Sequence, residues 1–248
     1  PETGDMACGE YGEGKMTDPN KIFIFLNEHF KFLNQTKKFK AIVTAGPTIE
    51  KIDPVRYITN RSSGKQGYEI AKAFADNGYD TMLISGPTNL ERPRNVKLIK
   101  IDTADQMFEE TIKNLPADVA VFSAAVSDFK VSKFSKTKIK KTGSMSLNLI
   151  KNKDILDHVS KHNSLRPKLV IGFSAETNDL EENSLAKLNQ KNCDWIIANN
   201  VSDKDIGFNS DDNEVSIFYR NKAMEKIAKT KKSLLAKEIV KRINFELN

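Results

Sequence analysis

The chain has 248 residues, 39% of them apolar, with 39 basic against 33 acidic side chains for a net charge of +6. That length and apolar share suit one large α/β domain or two small ones and argue against wholesale disorder. Cys8 and Cys193 have no CxxC spacing, which argues against a disulfide framework or a structural zinc site, and no apolar run approaches the roughly 18 residues of a membrane span.

Residues 1–20 are rich in Gly and acidic side chains and read as loop. They lack the basic-then-apolar order of a signal peptide, and the start without Met reads as a beginning inside a longer polypeptide. With the cysteine usage, this points to a reducing compartment, the cytoplasm. Residues 21–34 put Ile22, Phe25, Leu26, His29, Phe30 and Leu33 on one helical face, and 35–40 read as a polar linker. Strands are then predicted at 41–45, 80–85, 96–101, 118–124, 168–174 and 194–198, and helices at 65–78, 103–114, 154–162, 180–191 and 232–245. Such alternation predicts a mostly parallel sheet with helices on both faces, whose ligands sit beyond the carboxyl ends of the strands. The motifs cluster there: Gly46 onward, Ser85-Gly86-Pro87, Ser123–Asp128, Phe173–Asn178 and Ala198–Asp203. Two segments break the alternation. Residues 129–146 are basic and read as a mobile arm; 214–219 alternate apolar with polar residues and, with the run after Asn221-Lys222, predict a hairpin forming a small β-extension.

The densest chemistry lies in Asp53–Gly67, DPVRYITNRSSGKQG. A helix beginning after Ser62-Ser63-Gly64 would offer N–H groups and hydroxyls to an anion, with Arg56, Arg61 and Lys65 adding charge. Only one glycine stands where GxGxxG needs three, and no Walker pattern is present. The basic excess sits in Lys133–Lys141 and Lys222–Lys232; without a helix-turn-helix, zinc-finger or RNA-recognition signature it suits anionic small molecules rather than nucleic acid. Lys138, Lys140 and Lys141 form a cluster that, on loop closure, would offset charge developing in phosphoryl or nucleotidyl transfer; a solvated charge run is the plainer reading. Asp128, at a strand end, suits a magnesium ion, a ligand hydroxyl or a turn cap. Lys187 and Lys191 share a helix face, and Glu176, Asn178, Asn199 and Asn200 sit at strand ends, where they orient ligands or cap turns. His29, His158 and His162 read as structural, and Cys193 as a core residue.

Taken in order, TAGPTIEKIDPVRYITNRSSGKQG, LISGPTNL, FSAAVSDFKVSKFSKTKIKK, LIKNKDIL, VIGFSAETNDLEENSLAKLNQKNCDWIIANNVS and GFNSDDNEVSIF resemble the bacterial-type phosphopantothenoylcysteine synthetases, the C-terminal half of a bifunctional coenzyme A biosynthesis enzyme. The resemblance implies a Rossmann-like fold with a dimerising β-extension, and a homodimer is therefore expected. It implies CTP-dependent joining of 4'-phosphopantothenate and L-cysteine through an acyl-cytidylate, with Mg²⁺ accompanying CTP. By resemblance Asn60 holds the intermediate with Arg56 nearby, and Lys138 converts it to product. Ala124, Ala125, Asp128, Lys153, Asp154, Ile155, Leu156, Phe173, Lys187 and Lys191 match nucleotide contacts, while Arg61, Ser62, Ser63, Gly64 and Lys65 are assigned to the substrate phosphate. Lys153 replaces the family's usual proline, and Gly46-Pro47 its usual Gly-Gly. No residue pattern indicates the metal ligands. ETGDMACGEYGEGKM resembles the substrate clamp of the flavin-dependent decarboxylase half, whose active-site cysteine matches Cys8. The remaining decarboxylase segments, with their FMN site, are absent from this sequence, so no decarboxylase activity is expected of it. The expected division is 1–38, a clamp remnant and linker, and 39–248, the ligase domain. Two other readings stand beside this one: a nicotinamide-dependent oxidoreductase on a Rossmann-like core, against which the missing GxGxxG counts, and a basic nucleic-acid binder.

Overall fold

The computed structural model describes residues 2–5, 8–34, 39–140, 143–176, 178–200 and 210–247, with the backbone alone at 28, 29, 31–34 and 200. Its contacts divide the chain into two units, Pro1–Lys37 and Lys38–Asn248. In the first, β1 (Glu2–Asp5) and β2 (Tyr11–Lys15) pair antiparallel and are followed by α1 (Pro19–Asn34). The loop expected over 1–20 is therefore largely a hairpin: its Gly- and Glu-rich strands lack the apolar alternation by which strands are recognised, and backbone pairing holds them. The helix expected at 21–34 is present, but Ile22, Phe25, Leu26 and Phe30 of its apolar face are exposed. The side chains of His29 and Leu33 lie outside the described residues.

The second unit is built on a sheet whose parallel strands are β3 (Lys40–Ala45), β6 (Asp80–Ser85), β7 (Val96–Lys100), β8 (Val119–Phe122), β11 (Leu169–Glu176) and β12 (Trp195–Asn200). They stand in the order β12-β11-β8-β3-β6-β7. The expected hairpin is β13 (Asp212–Tyr219) with β14 (Glu225–Lys231); it joins antiparallel beside β12 and forms one edge of the same sheet. Side chains alternate between two cores, as the period of two requires. Ala41, Val43, Val121, Ile171 and Ile197 pack under α2 (Lys65–Asp76) and α6 (Lys232–Leu247). Ile42, Ala120, Val170 and Ile196 face α3 (Ala104–Lys113), α4 (Ile155–Ser160) and α5 (Leu180–Lys191) on the other side. This is the α/β, doubly covered, mostly parallel sheet expected from the sequence.

α2 and α6 run side by side in the same sense. Near their starts Asp211 pairs with Lys65 at 2.6 Å and its carbonyl accepts from the Lys232 N–H at 2.9 Å. At the far end Asn244 donates to Asn77 Oδ1 at 3.1 Å and accepts from the Tyr79 hydroxyl. Two short antiparallel pairs complete the unit: β4 (Ile49–Lys51) with β5 (Tyr57–Thr59), and β9 (Phe129–Val131) with β10 (Leu149–Lys151). The segment expected as an arm over 129–146 thus begins with β9, whose residues pair with Leu149–Lys151. Three-residue stems give too short a periodic signal to stand out from a charge run.

Candidate functional site

The site forms where β3, β8, β11 and β12 end. After β3, Gly46 turns with φ of 72°, and Pro47 forms a bridge to Ala125: Ala125 N–H donates to Gly46 O at 2.9 Å and Thr48 N–H to Ala125 O at 3.4 Å. The bridge uses the groups on either side of Pro47, so its missing N–H is not needed. Buried Thr48 accepts from Ser127 N–H at 3.0 Å through its hydroxyl, and Asn60 donates from Nδ2 to Val126 O at 3.0 Å. These contacts tie the turn after β3 and, through Asn60, the Asp53–Gly67 motif to the Ser123–Asp128 motif.

Helix α2 begins after Gly64, whose φ of 76° lies in the left-handed region. Gly67 lets the first turn lie against β3: a Cβ there would stand 2.6 Å from both Ala45 Cβ and Ser123 Oγ. Asn60, Arg61, Ser62, Ser63, Gly64 and Lys65 line a cavity of about 450 Å³, joined by Ala124, Ala125, Asp128, Phe173 and Lys187. Helix-start residues and four positive side chains, Arg61, Lys65, Lys187 and Lys232, make its electrostatics suitable for an anion.

A second cavity of about 540 Å³ lies on the other side of the shared residues. It gathers Ala124, Asp128, Lys153, Asp154, Ile155, Leu156, Phe173, Lys187 and Lys191. Asp154 caps α4, accepting from Asp157 N–H at 2.8 Å, and also holds Lys191 Nζ at 2.7 Å. Lys153 Nζ stands 4.6 Å from the centre of the Phe108 ring, so this loop is held by a cap, an ion pair and a cation–π contact without the proline. Lys187 donates to Phe173 O at 3.0 Å. Burial lowers its pKa, against the raising fields of Glu176 and Asp154, and the charge of Lys191 adds to the lowering. For Lys191, burial opposes the charged form, but the Asp154 hydrogen bond and charge outweigh it and the pKa is raised. One lysine is thus committed to a carboxylate, and the other is a desolvated cation beside both cavities.

Arg56 and Lys138 line neither cavity. Arg56 pairs with Asp53 and the arm, and Lys138 is exposed on the arm. Cys8 is exposed in the turn between β1 and β2, within the first unit. Lys141, Val201, Ser202 and Asp203 lie outside the described residues, as does the Asn200 side chain. Cys193 is a buried core residue as expected, its thiol pushed up to about 11 by burial.

Sequence reasoning missed Lys232, which is 6% exposed, opens α6 and lines the 450 Å³ cavity. Burial and the charge of Lys65 lower its pKa. Its signal was hidden in the charge run Lys222–Lys232; only its position at a helix start distinguishes it. Asn213, Gln66 and Asn152 were missed too; the Gln66 carboxamide lines the 450 Å³ cavity with neither its nitrogen nor its oxygen bonded. Among the described residues no cluster of three or more His, Cys, Asp or Glu side chains is placed to hold a metal.

Comparison with known proteins gives a consistent result. The family model described as the DNA/pantothenate metabolism flavoprotein C-terminal domain matches residues 36–246. The coenzyme A biosynthesis bifunctional protein CoaBC of Haemophilus influenzae is 40% identical over 245 residues, 98% of this chain and 60% of that protein. The CoaBC protein of Escherichia coli is 39% identical over 226 residues, 89% of this chain and 55% of that protein. The chain therefore spans less than two thirds of the length of these relatives. A crystal structure of the C-terminal domain of a CoaBC protein superposes with a TM-score of 0.71 at 34% identity, covering 85% of this chain and 96% of that one.

Proposed function

The chain belongs to the DNA/pantothenate metabolism flavoprotein C-terminal domain family, and from that premise we propose that it joins 4'-phosphopantothenate to L-cysteine at the expense of CTP. The observation that carries this reading is the common wall of the two cavities: Ala124, Val126, Asp128, Phe173 and Lys187 line both. A nucleotide in one and an acid in the other would meet across these five shared residues.

CTP occupies the 540 Å³ cavity, its base framed by Lys153–Leu156 and Phe173 and its phosphates toward Lys187. The acyl substrate lies along Ser62–Lys65. A carboxylate oxygen of 4'-phosphopantothenate attacks the α-phosphorus, the bond to the β-phosphate breaks, and pyrophosphate leaves with that electron pair. The cysteine amine then attacks the acyl carbon of the acyl-cytidylate, loses a proton, and CMP departs. Lys187 offsets the charge that develops on the phosphate, more strongly because it is desolvated. The Asn60 carboxamide, anchored on Val126 O, holds the mixed anhydride in place. Mg²⁺ beside substrate phosphates keeps several waters and needs no all-protein cage; with Asp154 committed to Lys191 and the α4 cap, Asp128 is the carboxylate of this cavity that would hold it. The ion when bound neutralises triphosphate charge.

Two free cysteines fit a cytoplasmic enzyme, and no described helix is long and apolar enough to cross a membrane. We read the assembly as a homodimer without a nucleic-acid partner, and residues 1–38 as a decarboxylase clamp segment and linker, with Cys8 in its turn. The test is pyrophosphate release in the presence of Mg²⁺, 4'-phosphopantothenate and cysteine, with CTP or ATP. Release with CTP and formation of CMP are expected; no release with either nucleotide overturns the reading, and equal rates overturn the cytidine assignment.

A further inference from the structure

The arm that carries Lys138 is fastened to the turn between β4 and β5. Ser135 N–H donates to Ile52 O at 3.0 Å, Ile139 N–H to Asp53 Oδ2 at 3.2 Å, and Arg56 Nη2 to Ile139 O at 2.5 Å. Both backbone groups of the residue next to Lys138 are therefore held by the Asp53–Arg56 pair. Asp53 is 1% exposed. Its Oδ1 accepts from the N–H groups of Val55 and Arg56, each at 2.8 Å, and Arg56 Nη2 lies 3.0 Å from its Oδ2. A buried carboxylate is costly unless its oxygens are matched. Here the match includes an amide that only the docked arm supplies. Burial alone would raise the Asp53 pKa, but the three N–H donors and the Arg56 charge outweigh it and hold the carboxyl below its ordinary range.

Buried ion pairs add little net stability as a class, and their best-attested use is to fix register. We propose that Asp53 is a positioning residue: with Arg56 it clamps the backbone at Ile139 and so sets where Lys138 stands when the second chemical step occurs. The role assigned to Lys138 rests on the ligase reading; the clamp itself does not. Arg56 acts through the arm and lies away from the nucleotide cavity.

The test is amide hydrogen exchange on the whole chain, wild type against Asp53→Asn, whose one carboxamide oxygen cannot serve the Val55 and Arg56 N–H groups together with Ile139 N–H and Arg56 Nη2. Residues 132–140 are expected to exchange about tenfold faster, the equivalent of about one lost hydrogen bond, with β3 and β8 amides unchanged. Should Asp53→Asn fail to fold, Arg56→Lys is read in the same way, since a lysine cannot span Asp53 and Ile139 with one planar group. Unchanged arm exchange in the folded variant overturns the clamp. In turnover, Asp53→Asn should slow product formation more than pyrophosphate release, with Asp53→Glu partly restoring it. Added to Lys138→Ala it should cost nothing further; additive losses overturn the positioning role. A wild-type chain that releases no pyrophosphate from CTP removes the ligase reading, and the exchange data still judge the clamp.

Discussion

Replacing Gly67 by alanine sets two opposing effects against each other. Alanine in a helix interior is favoured over glycine by about 0.8–1 kcal/mol. Yet the new Cβ would stand 2.6 Å from Ala45 Cβ and from Ser123 Oγ, where carbon contacts are comfortable at about 3.5–4 Å. The start of α2 must therefore move away from β3 by about 1 Å, because neither neighbour can give way easily. Ala45 is fully buried in a strand paired on both sides, and Ser123 Oγ donates to Thr44 O at 2.7 Å. Overpacking of this kind costs about 1–3 kcal/mol, so a net loss of up to about 2 kcal/mol remains after the helix gain. For a unit of this size that lowers Tm by up to about 8 °C. Thermal and urea unfolding measure it. Greater stability for Gly67→Ala would refute the claim that close approach, rather than backbone freedom, requires glycine here.

Three further outcomes follow from the geometry. Asp154→Ala and Asp154→Asn both lose the Lys191 ion pair, but Asn keeps an acceptor for Asp157 N–H, so Ala should be about 1 kcal/mol less stable than Asn; equal losses in urea unfolding would refute the cap. Thr48→Val leaves buried Ser127 N–H without its acceptor and should cost about 1–3 kcal/mol, with Thr48→Ser restoring most of it in the same assay. Lys187 titrates below its ordinary value of 10.5 because burial disfavours its charge, so between its two pKa values the unfolded chain holds the extra proton and this group's contribution to stability rises with pH. In that window a triphosphate that restores the charge must bring a proton with it. Calorimetry of CTP binding in buffers of different ionisation enthalpy should detect the uptake, and Lys187→Met should abolish it; no buffer dependence in the wild type would refute the coupling.

Much of the fold was legible because its signals are local. Ala41–Ala45 and Asp80–Ser85 are short β-branched runs that the sheet buries on both faces, and Asn77-Gly78 ends α2 with the left-handed turn that glycine supplies. Clustering of motifs at strand ends was equally readable, since parallel strands put their carboxyl ends on one side. Other features depend on tertiary pairing. The β1–β2 hairpin and the β9–β10 stem are held by backbone bonds between segments with weak side-chain patterns. Lys232 differs from its charged neighbours only by where α6 begins. Arg56 has a guanidinium suited to a phosphate, and nothing local announces that a carboxylate three residues earlier and an arm 83 residues later occupy it.

The side-by-side course of α2 and α6 has an energetic consequence. Two aligned helix dipoles lying abreast repel, with about half a positive charge at each start, and here Lys65 and Lys232 stand at those starts. Asp211 answers part of that charge from an exposed position. The folded domain is thus under electrostatic tension at one end, and an anion arriving there relaxes it. Ligand binding and the hold of the C-terminal helix on the sheet become one equilibrium, so inorganic phosphate or pyrophosphate should raise the unfolding temperature, and salt, by screening the same repulsion, should reproduce part of the gain.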